Sequence, residues 1–361
     1  MSKGRQTSKK RVIMNILIIK LSAIGDVVHT LPSLAVLRRL YPNAHITWVI
    51  EEASSDLIVG HPYLNRIVVS GRKRWIRDLR NPSRAFAALR EIKSFVRTLR
   101  DRSYDLVIDF HGLFKSALLV FLSGGKRKLG YDSLQELSGL FLNEKIPEDL
   151  EKHAIDRYLD FLRYLGAPIG EPEFLIPIEE ANKKRIDALL QKHNLDSHDR
   201  FVAVNPIALW ETKLWEEDRF AALCDRIIRQ LDTKVVLTGN HAEGMVGHIQ
   251  SMMSQKTVNL AGRTTLRDLA YLYRKAALLI TTDSGPMHIA AAVGTPVIAL
   301  FGPTSASRTG PYGEGHFVIR RDLACSPCFL KKCETRHCMK DISVEDVLEA
   351  AKKMLKCPKT I

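Results

Sequence analysis

The chain reads as an α/β protein of two Rossmann-like halves, each a doubly wound parallel sheet. Three observations carry that prediction. Short apolar runs of strand type recur along the sequence with helix-length segments between them; a Gly- and Pro-rich stretch at 166–177 splits them into two series; and small, acidic and basic residues gather directly after several of the runs, where open α/β sheets bind ligands. The 361 residues, 45% hydrophobic and 26% charged, suffice for two domains of ordinary size.

The first series opens with residues 15–20, NILIIK, a buried parallel-strand pattern. The loop 21–26, LSAIGD, then feeds a helix starting near Val27, with Asp26 at the mouth of the sheet. No GxGxxG follows the strand, so the dinucleotide fingerprint is missing, although Gly25 permits close backbone approach. Asp26 is also a capping type, so an N-cap role is its other reading. Strands are expected at 45–50, 66–69 and 105–109, helices near 83–100 and at Lys115 and Ser116, and helical pattern over 135–166. Residues 71–80, GRKRWIRDLR, place Arg72, Lys73, Arg74, Arg77 and Arg80 around Trp75. That is either a solvated helix face or a grip for a phosphorylated, partly apolar ligand, with Trp75 against the apolar part.

The second series has strands at 201–205, 234–238, 258–260, 278–281 and 296–300, separated by helices near 217–230, 242–254 and 266–275. A last helix at 344–355 is expected to pack back across the first half. Its most informative stretch is 278–313. There an apolar run meets Asp283, Ser284 and Gly285, then Pro286 at a first helical position, so backbone N–H groups of the next helix point into the loop. Such a helix end carries roughly +0.5 elementary charge and holds phosphate. His288 lies one turn along the same helix; a core histidine is its other reading. Trp210, Glu211, Thr212 and Lys213 follow the 201–205 strand, and one lysine there can neutralise a diphosphate. Gly239, Asn240 and Glu243 follow the next strand, where a carboxylate suits a ribose diol. Together these loops outline a nucleotide-diphosphate site facing Asp26.

Net charge is +14, which calls for a polyanionic partner: nucleic acid, an anionic membrane surface or a phosphorylated substrate. An enzyme is favoured over a nucleic-acid-binding module, because the distinctive loops gather at two sheet edges and no aromatic platform marks a basic face. The longest apolar runs, such as 117–122, fall far short of the roughly 20 residues that cross a bilayer, and the N-terminus has no apolar signal core; a cytoplasmic protein is expected. Four of the six cysteines, Cys325, Cys328, Cys333 and Cys338, crowd together; reduced thiols or a structural zinc site are the two readings.

Three segments, SAIGDVVHTLP (22–32), VIDFHGLFKSA (107–117) and DSGPMHIAAAVGTPVIALFGPT (283–304), resemble the ADP-heptose:lipopolysaccharide heptosyltransferases of glycosyltransferase family 9, a likeness running from Met14 over nearly the whole chain. The first segment and the basic stretch look more like enzymes adding the first heptose, whereas the cysteines look more like second-type and unassigned members. The resemblance implies a GT-B architecture, with a basic leader at 1–13, an acceptor-binding domain at 14–168 and a nucleotide-sugar domain at 169–361. It implies heptose transfer with inversion from ADP-heptose to a Kdo-lipid A-type acceptor by a peripheral enzyme on the cytoplasmic face of the inner membrane, binding no nucleic acid. A relative using another nucleotide sugar or a later core position is the alternative. Asp26 then resembles the catalytic base, Lys213 the donor-phosphate lysine and Glu243 the ribose carboxylate. Thr212, Gly239, Asp283, Ser284, Gly285 and His288 fall in the donor site, and Arg72, Lys73, Arg74 and Arg77 where acceptor-binding basic residues lie. No Asp-x-Asp pair accompanies a phosphate loop, so no cofactor or obligatory metal is expected.

Overall fold

Twelve strands form two parallel sheets in a computed structural model that describes residues 13–132, 139–196, 198–240 and 244–356. The first sheet holds β1 (Asn15–Ile19), β2 (His45–Glu51), β3 (Arg66–Ser70), β4 (Leu106–Asp109), β5 (Arg127–Tyr131) and β6 (Glu144–Ile146), in the order β3-β2-β1-β4-β5-β6. The second holds β7 (Phe201–Asn205), β8 (Lys234–Leu237), β9 (Val258–Asn259), β10 (Leu278–Thr282), β11 (Val297–Phe301) and β12 (Phe317–Arg320), in the order β12-β11-β10-β7-β8-β9. Read from β9, the second order repeats the first. Each sheet therefore reverses direction between its first and fourth strands, β1/β4 and β7/β10, and a crevice opens there at the carboxyl ends.

The central strands are apolar throughout because helices cover both faces: Ile16 to Ile19 and Leu278 to Ile280 are fully buried. Register is set by these runs, with Ile18 opposite Trp48 and Ile108, and Ile280 opposite Val204 and Ile298. One apolar core continues from one half into the other. Val28 and Leu31 of the Ile24–Leu40 helix share it with Met287 and Ile289 of the Gly285–Ala292 helix and Leu269 of the Leu266–Lys275 helix.

Several expectations need correction. The 135–166 stretch is not one helix: residues 133–138 lie outside the described residues, 139–141 form a short 3-10 turn, Glu144–Ile146 is the edge strand β6, and the α-helix among the described residues is Ala154–Tyr164. Pro147 ends any helix there by removing a donor and clashing with the preceding turn. The last helix, Val344–Lys356, does not cross back to the first half. Its Val347, Leu348, Ala351 and Leu355 share a core with Val202, Ile280 and Ile298 of the second sheet, and Arg226 pairs with Glu345 at 2.6 Å. A helix that buries one apolar face in its own domain has none left for the other. The leader up to residue 12, and Glu243, also lie outside the described residues.

Candidate active site

Asp26 sits in the first turn of the Ile24–Leu40 helix, directly after β1. Ala23 is the N-cap, and its N–H donates to Asp26 Oδ2 at 2.9 Å; a carboxylate at this end also meets the favourable helix dipole. The side chain stays 40% exposed, open to the crevice. Behind it lies Lys20, which the sequence reading took only as the polar end of a strand. Its Nζ is 3.9 Å from Asp26 Oδ2 and donates to Phe110 O at 3.0 Å and Tyr158 Oη at 2.5 Å. Burial pushes its pKa down, opposed by the charges of Asp26 and Asp109. A buried cation is thereby fixed beside the carboxylate best placed to take a proton.

On the facing half, Asp283 ends β10 and is buried. Its Oδ2 accepts from Thr304 Oγ1 at 2.6 Å and lies 2.6 Å from Lys213 Nζ. Lys213 also stands 4.5 Å over the Trp210 ring, so the 211–213 turn after β7 is locked to the loop after β10. Asp283 therefore orients the lysine, with its carboxylate held by Lys213 and Thr304. Ser284 is the N-cap of the Gly285–Ala292 helix and its side chain makes no capping bond; Pro286 has no N–H and Met287 N–H donates to Ser284 O at 3.1 Å, which leaves the Gly285 N–H at this helix start to a ligand. Thr212 is turned elsewhere: its hydroxyl donates to Leu330 O at 2.7 Å, bracing the cysteine-rich loop. Gly239 lets its loop pass between Ile207 and Val246, where a Cβ would come within 2.9 Å of both.

The two sides meet through glycine. A Cβ on Gly285 would fall 2.8 Å from Ile24, and one on Gly25 would overlap the His288 ring. The two helix starts are thus pressed together, which brings Asp26 beside the donor loops. His288 Nδ1 is 2.9 Å from His29 Nε2, and His153 stacks edge-on to His29 at 5.3 Å. Burial lowers the pKa of His288 to about 4, with Asp283 and Asp26 pulling the other way, and burial followed by the other histidines lowers that of His29 well below the usual value. His288 is thus buried between the halves, against His29.

The basic stretch forms the Arg72–Leu79 helix, away from the donor loops. Its charges are largely spoken for. Arg72 lies 2.8 Å from the buried Glu51, Arg74 bridges Glu52 and Glu91, Lys73 is 3.7 Å from Glu51 and Arg77 faces Asp78. Trp75 is not available to a ligand: it is 8% exposed, packs edge-on to Phe95 and donates from Nε1 to Glu91 at 2.8 Å. An amphipathic helix puts its one indole inward, so the expected contact with an apolar ligand is withdrawn. The four crowded cysteines line one cavity of about 330 Å³ as free thiols. Among the described residues no three His, Cys, Asp or Glu side chains are arranged as a metal shell.

The sequence profile of glycosyltransferase family 9 (heptosyltransferase) matches residues 92–339. The chain belongs to glycosyltransferase family 9. Among the relatives of this family 9 enzyme, lipopolysaccharide heptosyltransferase 1 of Pseudomonas aeruginosa is 29% identical over 327 residues, 89% of this chain and 87% of that one. The family 9 glycosyltransferase of Veillonella parvula superposes with a TM-score of 0.79 at 26% identity, covering 95% of this chain and 97% of the other. E. coli heptosyltransferase WaaC with ADP superposes with a TM-score of 0.75 at 24% identity, over 94% and 100%. The two-sheet arrangement is the GT-B architecture of such glycosyltransferases.

Proposed function

We propose that this enzyme transfers heptose with inversion from ADP-heptose to the Kdo/heptose inner core of lipopolysaccharide, with Asp26 as general base. The observation that carries this reading is the opposition of a half-exposed carboxylate on one half to Lys213 and the open Gly285 helix start on the other. A base on one side and a phosphate-binding helix end and cation on the other are what displacement of a nucleoside diphosphate by a sugar hydroxyl requires. Similarity to lipopolysaccharide heptosyltransferase 1 of Pseudomonas aeruginosa and of E. coli supports heptose and lipopolysaccharide as the substrate classes. We assign residues 14–168 to the acceptor and 169–361 to the donor, Gly239, Asp283, Ser284 and Gly285 to the donor wall with the buried Thr212 and His288 supporting it from behind, and Glu243 to the ribose.

In the mechanism that follows, Asp26 takes the proton of the attacking hydroxyl as the new glycosidic bond forms and the anomeric carbon–oxygen bond to the diphosphate breaks. Lys213 and the Gly285 N–H at the positive end of its helix receive the negative charge that leaves. The basic Arg72–Leu79 helix draws the enzyme to an anionic membrane surface, and among the described residues no helix is long and apolar enough to cross one. Incubating the purified protein with ADP-heptose, other nucleotide sugars and a Kdo-lipid A acceptor, with products read by mass spectrometry, tests the proposal. A mass gain of one heptose from ADP-heptose alone is expected; transfer only from a different nucleotide sugar would overturn the donor assignment. Activity should survive EDTA, and loss restored by magnesium would contradict the metal-free site.

A further inference from the structure

Three buried polar atoms beside Asp26 have no hydrogen-bond partner: both ring nitrogens of His111 and the hydroxyl of Tyr131. Well over nine in ten buried polar groups are partnered, and an orphan costs about 1–3 kcal/mol, so three around one space call for something that is not protein. The space is a cavity of about 190 Å³ lined by Lys20, Asp26, His111, Tyr131, Glu148 and Tyr158 among others, all from the first half. It sits where β1, β4 and β5 end.

His111 is held there by its own backbone. The buried Asp109 accepts from His111 N at 2.9 Å, Gly112 N at 3.2 Å and Ser116 Oγ at 2.8 Å, and Gly112 turns the chain at φ +65°. The loop is rigid without any bond to the imidazole, so the ring is free to meet a ligand. Burial drives its pKa down to about 2, helped by the positive fields of Lys20, Lys115 and Arg72. A neutral imidazole offers one donor and one acceptor, and Tyr131, only 5% exposed, adds a hydroxyl. That set matches sugar hydroxyls, which both donate and accept. It does not match a phosphate ester in its fully ionised form, which only accepts and would leave the acceptor nitrogen unsatisfied.

We propose that this cavity seats the terminal sugar ring of the acceptor, with His111 and Tyr131 binding its hydroxyls and so fixing which one faces Asp26. The proposal rests on the reading of Asp26 as the base. The volume, on the order of six waters' share of liquid, is that of a single ring, so an acceptor whose terminal ring is further substituted at the buried hydroxyls is rejected.

Tyr131→Phe and His111→Leu test it, with His111→Gln as the conservative variant that keeps a donor and an acceptor. One lost hydrogen bond of about 1–1.5 kcal/mol corresponds to roughly five- to tenfold in the acceptor's KM for Tyr131→Phe, with the donor's KM and ADP binding unchanged. His111→Leu should raise the acceptor's KM more, and His111→Gln should recover most of it. Because the Tyr131 hydroxyl is an orphan in the free protein, Tyr131→Phe should leave Tm equal or higher; a fall would mean that the hydroxyl serves the fold. Binding of free Kdo, read by saturation-transfer NMR, should be seen with the wild type and vanish in His111→Leu whether or not transfer occurs, which separates this proposal from the catalytic one. Equal signal in both proteins, no signal in the wild type, or an effect confined to the donor's KM would overturn it.

Discussion

Replacing Lys213 by Met asks whether its pair with Asp283 is a catalytic device or a clamp. Nζ lies 2.6 Å from Asp283 Oδ2, with the lysine side chain 16% exposed and the carboxylate 6%. Without the lysine, the carboxylate keeps only the Thr304 hydroxyl. Removing one member of a buried pair costs about 3–5 kcal/mol, and the lysine's opening to the crevice lets water soften this to about 2–3 kcal/mol. At about 2.1 cal/mol/K of unfolding entropy per residue, a chain of 361 residues shifts by about 1.3 °C per kcal/mol, so Lys213→Met should melt roughly 3–4 °C lower. Loss of a preorganised cation from the leaving group should cut turnover by about 10²–10³-fold. The double variant Lys213→Met with Asp283→Asn removes both charges, so it should regain most of the lost Tm and none of the turnover. Scanning fluorimetry and initial rates on the three variants give the answer. If turnover returns together with Tm, the lysine is structural and the reasoning is refuted.

Other outcomes follow from the same geometry. Asp26→Asn should lower turnover by about 10²–10⁴-fold and leave ADP binding, measured by calorimetry, intact; near-normal turnover would remove the base assignment. His288 and His29 have folded pKa values below the ordinary 6.5 or so, so the neutral rings favour the folded state. Their contribution is complete above about pH 6.5 and is lost as pH falls toward about 4 for His288. The urea midpoint should therefore drop between pH 6.5 and 5 and stay level from 7 to 8; a flat midpoint across the lower range would refute this. Lys73 and Arg77 are the clean probes of acceptor docking, because each is 70% exposed whereas Arg72 neutralises the buried Glu51. Changing both to Ser should raise the acceptor's KM several-fold at low salt with little change in Tm, and an unchanged KM would end the docking role.

The order of strands and helices was legible wherever a strand is buried on both faces, since β1, β4, β7, β10 and β11 each carry three or more consecutive apolar residues. It was not legible at β5, β6 and β12. RKLGY, EKI and FVIR are half-exposed segments at or near sheet edges, and their charged residues hide the pattern. The donor loops announced themselves through small and capping residues at strand ends. Lys20 and Tyr131 did not, because a lysine and a tyrosine closing strands look like ordinary boundary residues until the switch point between β1 and β4 brings them together. Trp75 misled for the opposite reason: a basic stretch looks like a surface, and its periodicity over eight residues was too short to show the indole turned inward.

The contact of Gly25 with His288 and of Gly285 with Ile24 has a consequence for exchanging parts between such enzymes. Each glycine is sized to a side chain carried by the other half of the chain. A chimera that takes its second half from a relative inherits half of a lock and half of a key, whatever the match in its catalytic loops. Grafts that bring residues 24–29 along with 285–288 should fold and melt like their parents, while grafts cut between them should melt lower. The unit of inheritance for donor preference is then not a domain but a domain plus six residues of its neighbour.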